Sequence, residues 1–265
     1  MFSLKYITRY GDYKDFDHIK TSSVLDMIQD VSTRASAHYG YDIHTLRDMK
    51  RAWLLQGINL HFDLEIKPDG QIEIFTAITP SNGVTSERCC IIEQNGKKVG
   101  KSVANWFLFN AEKQRPVRIP KEMLDAYEVA EFDDEFFAYK KAELMDAGEP
   151  LYSITVSNKE IDTNLHMNNQ KSAELLMDAL PFEFYFNDMN ILYKKPAFLG
   201  DRLDICIKNW MTVFMCICKI PKRKFLLQEH SEILINKMLK SLIYCEQNNI
   251  WEWFNAFRYH RRTYC

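Results

Sequence analysis

The stretch Asp162-Thr163-Asn164-Leu165-His166-Met167-Asn168-Asn169 runs straight into a helical pattern, and an earlier echo of it decides the fold. If the segment is extended, Asp162, Asn164 and His166 at i, i+2 and i+4 share one face. Asn168 or Asn169 can then cap the helix behind it. An acid, an amide, an imidazole and unpaired helix N–H groups come together there. Loops of this composition are often nothing more than capped helix starts, so the setting has to carry the argument.

The setting is an internal repeat. His18-Ile19-Lys20-Thr21-Ser22-Ser23-Val24-Leu25-Asp26-Met27-Ile28-Gln29-Asp30 aligns with His166-Met167-Asn168-Asn169-Gln170-Lys171-Ser172-Ala173-Glu174-Leu175-Leu176-Met177-Asp178. The histidine, the acid at Asp26/Glu174, the apolar pair and the last aspartate coincide. Gly70-Gln71-Ile72-Glu73-Ile74 likewise resembles Asp201-Arg202-Leu203-Asp204-Ile205.

Each half reads the same way. A strand opens it, at Phe2–Tyr10 and at Leu151–Ser157. A polar loop ending in a histidine follows, then a helix: Ser22–Tyr39 stopped at Gly40, and Asn169–Leu180 stopped by Pro181. Alternating strands are expected at Ala52–Ile66, Gln71–Ile78, Thr85–Gln94 and Lys98–Asn110. The turns Pro68-Asp69-Gly70, Ser81-Asn82-Gly83 and Asn95-Gly96 separate them. Val24, Leu25, Ile28, Val31 and Ala35 form one apolar helix face. The class is therefore α+β, each half a central helix wrapped by an antiparallel sheet. Residues Ala111–Pro150 read as linker and crossover, with Glu131–Glu135 a solvated acidic run.

The 265 residues, 46% hydrophobic, suffice for two cores. A net charge of -2 gives no general signal for nucleic acid or a membrane surface. No run of 18 apolar residues suggests a membrane span. Met1–Tyr10 alternates like a strand and lacks an apolar signal core, so a cytoplasmic location is expected. Seven cysteines without a C-x-x-C pair read as free thiols, and no metal or organic cofactor is expected.

On these residues the chain resembles the acyl-ACP thioesterases of plants and bacteria. The likeness rests on Asp162-x-Asn164-x-His166-x-Asn168-Asn169, on Asn105-Trp106-Phe107-Leu108-Phe109-Asn110, and on Arg115-Pro116-Val117-Arg118-Ile119-Pro120. It covers roughly residues 1–205. The resemblance implies two tandem hotdog domains, with boundaries at 1–130 for an acyl-pocket domain, 131–150 for a linker and 151–265 for the catalytic copy. It implies hydrolysis of fatty acyl-ACP to free fatty acid, with Asp162, Asn164 and His166 at the catalytic positions and acyl carrier protein as partner. An acyl-CoA thioesterase, and an inert hotdog protein that binds acyl chains or the carrier, are the alternatives. The family also places an acid in the segment Tyr193-Lys194-Lys195-Pro196-Ala197, where this chain has Pro196.

Hydrolysis of a thioester requires an activated water and a donor for the developing oxyanion. Asn164 can hold the carbonyl or the water, His166 can carry a proton, and Asp162 can orient both or act as base. Asn168 and Asn169 are candidate substrate contacts at the helix N-terminus. Met27, Ile28 and Trp53 are candidate acyl-pocket residues, although such side chains are more often ordinary core. In the first half the positions matching Asp162 and Asn164 hold Lys14 and Phe16, so His18 reads as structural. Lys194, Lys195, Arg115, Arg118 and Lys121 are a candidate basic rim for an acidic carrier, and an oligomer is compatible with the chain.

From about residue 205 the composition changes. All nine glycines lie at or before Gly200, and all 18 aspartates at or before Asp204. Five of the seven cysteines fall in the tail, which carries a charge of +6 against -8 for the first 204 residues. Ile205–Lys208 and Thr212–Lys219 still read as strands, whereas Ile233, Leu234, Met238, Leu239, Leu242 and Ile243 keep a helical period. An out-of-frame or heavily diverged replacement explains the change and would leave the second domain incomplete. A terminal helix docked over the sheet is the plainer alternative.

Overall fold

A computed structural model describes residues 1–68, 70–142, 150–182, 184–210, 213–219 and 232–236; for 207–210, 213–219 and 232–236 it describes the backbone alone. One antiparallel sheet runs through the whole molecule. Its first half holds β1 (Phe2–Ile7), β2 (Arg51–Phe62), β3 (Gln71–Ile78), β4 (Ser86–Gln94), β5 (Lys97–Asn110) and the short β6 (Arg115–Val117). Its second half holds β7 (Pro150–Thr155), β8 (Asp188–Tyr193), β9 (Arg202–Trp210), β10 (Val213–Lys219) and β11 (Glu232–Asn236). The order is β1-β3-β4-β5-β2-β8-β11-β10-β9-β7, with β6 beside β5.

That order reads the same from both ends once β7 to β11 are matched to β1 to β5. The repeat is therefore a symmetry of the sheet as well as of the sequence. The halves meet where β2 pairs with β8, from Gly57 opposite Leu192 to His61 opposite Asp188. Here β2 shifts register between Leu55 and Gly57. A Cβ on Gly57 would collide with the Tyr139 hydroxyl and the Ile191 carbonyl, so the junction requires glycine at that point.

The sheet wraps two helices. The first, α1 (Thr21–His38), buries Val24, Leu25, Met27, Ile28, Val31 and Ala35 against the concave face. Two short helices stand apart from this pair: α2 (Ile43–Asp48) precedes β2, and α3 (Lys121–Ala126) follows β6. The second of the pair, α4 (Asn169–Asp178), lies beside α1, and Gln170 Nε2 donates to the Ser22 carbonyl at 3.3 Å. Ile28, Ile72, Ile74, Ile92, Leu176, Ile191 and Ile205 share one core that spans both halves. Each such side chain contributes roughly 1.5–3 kcal/mol by leaving water. This is the tandem hotdog arrangement that the sequence suggests.

Two expectations change. The segment 131–142 is a strap as well as an acidic run: Glu131, Asp133 and Glu135 stay exposed as expected, while its aromatic side chains turn to the sheet. Phe132 stacks on Phe137 with ring centroids 4.2 Å apart, over Cys89 and Val103 on the outer face of the sheet. Asp134 pairs with Lys101. Asn59 Nδ2 and Asn190 Nδ2 both donate to the Lys140 carbonyl, at 2.9 and 3.0 Å, so the strap ties β2 to β8.

The tail also differs. Residues 232–236 form a strand, with Ile233 opposite Tyr193 and Leu234 opposite Leu192 on β8. Short apolar runs fit either period, and here the free edge of β8 selects the strand. With β9, β10 and β11 in place, each strand from β1 to β5 has a counterpart in the second half. Met238, Leu239, Leu242 and Ile243 lie outside the described residues.

Candidate active site

The stretch from Asp162 to His166 is a tight turn, not an extended strand. The Asp162 amide donates to the His166 carbonyl at 2.9 Å, and the Leu165 amide donates to the Asp162 carbonyl at 3.1 Å. Asp162 Oδ1 accepts from the Asn164 amide at 2.8 Å. Leu165 takes a left-handed φ of 63° to complete the reversal. Ile161 bridges Met167 across its base. The three polar side chains thus converge through the turn rather than by alternation along a strand, and all three line one cavity.

The turn is held from below. The Met167 amide donates to the Ala197 carbonyl at 2.7 Å, and the Asn168 amide donates to the Glu160 carbonyl at 2.8 Å. Glu160 in turn accepts from the Ser157 amide and hydroxyl, both at 2.7 Å. Burial pushes the Glu160 carboxyl up, but these donors outweigh it and hold it below the ordinary glutamate range. Asn168 is the N-cap of α4, its side chain accepting from the Gln170 amide at 2.7 Å. Asn169 begins the helix and lines the cavity.

His166 Nδ1 lies 3.2 Å from the Met167 carbonyl and 3.8 Å from Asp162 Oδ1. A carbonyl only accepts, so Nδ1 is the donor in that contact, and in the neutral tautomer this leaves the lone pair on Nε2. Among the described residues that line the cavity, Asp162 is the only carboxylate. Pro196 lines it too, in the segment where an acid is expected.

The cavity has a volume of about 530 Å³ and reaches from this turn into the first half. Trp53, Leu55 and Trp106 give it apolar walls, and Arg47, Lys50, Arg51, Lys194 and Lys195 contribute cationic lining. Of the anticipated pocket residues Trp53 lines it. Met27 and Ile28 do not, because they face the core, and the polar α1 residues Gln29, Ser32, Thr33 and Ser36 take that wall. Of the anticipated basic rim, Lys194 and Lys195 lie on the cavity. Arg115, Arg118 and Lys121 lie off it; Arg118 donates to the Asn82 carbonyl at 3.0 Å, and Lys121 pairs with Asp125 at 2.8 Å.

Sequence reasoning missed Tyr193, whose hydroxyl donates to the Asn169 carbonyl at 3.1 Å beneath the helix start. Burial pushes this hydroxyl up, so it stays protonated as a donor. It also missed Arg47, Lys50 and Arg51, which reach the cavity only because α2 folds back beside β2. His18, the first-half counterpart, is off the cavity: its Nδ1 pairs with Asp15 Oδ1 at 2.7 Å, and its ring packs on Tyr185. Among the described residues no cluster of histidine, cysteine and acid has the composition of a metal site, and no helix is long and apolar enough to cross a membrane.

The chain is similar to solved structures of known proteins. An acyl-ACP thioesterase from Bacteroides thetaiotaomicron is 17% identical, with a TM-score of 0.76 over 89% of this chain and 96% of that one. The 12:0-ACP thioesterase from Umbellularia californica is 12% identical, with a TM-score of 0.76 and the same coverage, 89% and 96%. At such identities these likenesses speak for the fold. No curated protein sequence matches the chain.

Two family profiles match in tandem. The acyl-ACP thioesterase N-terminal domain matches residues 1–127, and the acyl-ACP thioesterase C-terminal domain matches residues 147–242. The second match continues to residue 242, past the compositional change near residue 205, which argues against an out-of-frame tail beginning there and leaves divergence as the reading. With both domains matched in order, the chain belongs to the acyl-ACP thioesterase family and is a thioester hydrolase.

Proposed function

We propose that the protein cleaves the thioester of fatty acyl-ACP at the turn Asp162–His166. The observation that carries this reading is the convergence of Asp162, Asn164 and His166 on one cavity beside the start of α4. His166 Nε2 takes a proton from a water as its oxygen attacks the thioester carbonyl. Asp162, 3.8 Å from Nδ1, favours the imidazolium that forms. The oxyanion is met by the Asn164 side chain and by the amide of Asn169, at the positive end of the helix. The C–S bond then breaks, the thiolate leaves with the proton from His166, and the free acid remains.

The cationic residues on the cavity support acyl carrier protein as the partner. Arg47, Lys50, Arg51, Lys194 and Lys195 suit the phosphate of a phosphopantetheine arm and an acidic carrier. Cleavage of acyl-ACP and acyl-CoA by the purified protein tests both parts of the reading. A kcat/KM higher for acyl-ACP is expected. Equal use of acyl-CoA would remove the carrier preference, and cleavage of neither by folded protein would remove the site.

A further inference from the structure

The cavity has a second polar region that thioester cleavage does not use. On α1 the residues at i, i+3, i+4 and i+7 that reach it are Gln29, Ser32, Thr33 and Ser36, and on β4 they are Ser86 and Arg88. Arg88 is only 7% exposed. It lies on the side of β4 that also carries the core residues Cys90 and Ile92. Its guanidinium sits 5.2 Å from the ring of Tyr127. Among the described residues it donates no side-chain hydrogen bond and faces no carboxylate within ion-pair distance.

The neighbouring hydroxyls do not compensate. Ser36 Oγ donates to the Tyr41 carbonyl at 2.7 Å, so the Tyr127 hydroxyl, 2.8 Å away, must donate to Ser36. Both are satisfied by each other and by backbone. Burial lowers the Arg88 pKa, as expected of a cation without a counterion. Arg88 lines the cavity while only 7% exposed, and a partner bound there would offset the hydration that its guanidinium has lost.

Arg88 is also in the right place to meet the far end of a substrate. β4 is three strand steps from β8 across the sheet, a span of about 14 Å, and Tyr193 at the end of β8 donates to the Asn169 carbonyl at the start of α4. Trp53, Leu55 and Trp106 line the cavity between the two regions. Resting on the thioesterase reading, we infer that Arg88 receives an anionic oxygen at the distal end of the acyl group. The preferred substrate is then an acyl thioester that ends in a carboxylate rather than a methyl group. A guanidinium fork matches a carboxylate with two parallel N–H donors, whereas a methyl end leaves it buried and unpaired.

The test compares acyl thioesters of one chain length ending in methyl, hydroxyl or carboxylate, with wild type, Arg88→Met and Arg88→Lys. Wild type should favour the carboxylate over the methyl end by at least about tenfold in kcat/KM. Arg88→Met should reverse the order, and Arg88→Lys should keep part of it. A second readout does not depend on cleavage: quenching of protein tryptophan fluorescence by a free dicarboxylic acid, against its dimethyl ester. Tight binding of the diacid that Arg88→Met abolishes supports the site even if no thioester is cleaved. Equal rates for methyl and carboxylate ends in wild type, or diacid binding that Arg88→Met leaves unchanged, overturns the proposal. Should Arg88→Met not fold, the discrimination shown by wild type decides.

Discussion

Lys14 and Asp162 hold the same position in two copies of one loop. Each donates its amide to the carbonyl of the histidine four residues on, His18 and His166, at 2.9 Å in both. The bridges beneath them repeat as well, Tyr13 with Ile19 and Ile161 with Met167. In the first copy the Lys14 ammonium donates to the Phe184 carbonyl at 2.8 Å and lies over the Tyr185 ring. The backbone bonds of the loop therefore form with either a lysine or an aspartate at this position, which separates most of its stability from its chemistry.

Replacing Asp162 or His166 by alanine should therefore leave the fold intact while removing activity. His166→Ala is expected to lower kcat by roughly 10²–10⁴, and Asn164→Ala by roughly 10²–10³ if Asn164 serves the oxyanion. Circular dichroism and the thermal midpoint should change little for any of the three. A His166→Ala variant with wild-type kcat would take the proton-transfer role away from this residue.

Gly57 should not tolerate a side chain. A Cβ there meets the Ile191 carbonyl, which is backbone and cannot swing aside. Gly57→Ala is expected to cost about 1–3 kcal/mol through overpacking, read as a lower denaturant midpoint at constant slope. An unchanged midpoint would mean that the β2–β8 junction relaxes more freely than its register indicates.

The strap should loosen when Asn59 is lost. Its amide donates to the Lys140 carbonyl at 2.9 Å, and its oxygen accepts from the Lys140 amide at 2.8 Å. Asn59→Ala leaves the Lys140 amide without its acceptor, at a cost of about 1–3 kcal/mol, while the carbonyl keeps its bond from Asn190. Limited proteolysis should then cut residues 131–142 faster than in wild type; identical cleavage rates would count against the strap.

Glu160 should make the Asp162–His166 turn sensitive to acid. Its folded pKa is depressed, so its stabilisation is complete above the unfolded value of about 4.3. It is lost as pH falls through the folded value below that. Glu160→Gln should be less stable than wild type at neutral pH and show a smaller decline between pH 5 and acid unfolding. Parallel stability curves for the two proteins would rule this contribution out.

Much of this architecture is legible in the chain because the signals are local. Strand alternation, the Asn95-Gly96 turn and the Gly40 stop each act within a few residues, and β3 matches its expected span of Gln71–Ile78. The convergence of Asp162, Asn164 and His166 is also local, although a positive φ at Leu165 builds it instead of strand alternation. What the sequence hides is what depends on distant partners. Ile233 and Leu234 look helical until β8 offers an edge, and Phe132 and Phe137 look like linker until the outer face of the sheet receives them. Arg88 sits in an alternating strand like any surface cation, and only the folded sheet shows that it is buried.

The pairing of β2 with β8 also has a consequence for dilution. Were the halves separate chains, this junction would form only above its dissociation constant, and any site that depends on it would empty as the protein was diluted. Joined through residues 131–150, they meet at an effective concentration set by the tether, so assembly becomes a unimolecular step. The first copy of the loop is then free to hold Lys14 and Phe16, since one chain never has to supply two equivalent sites.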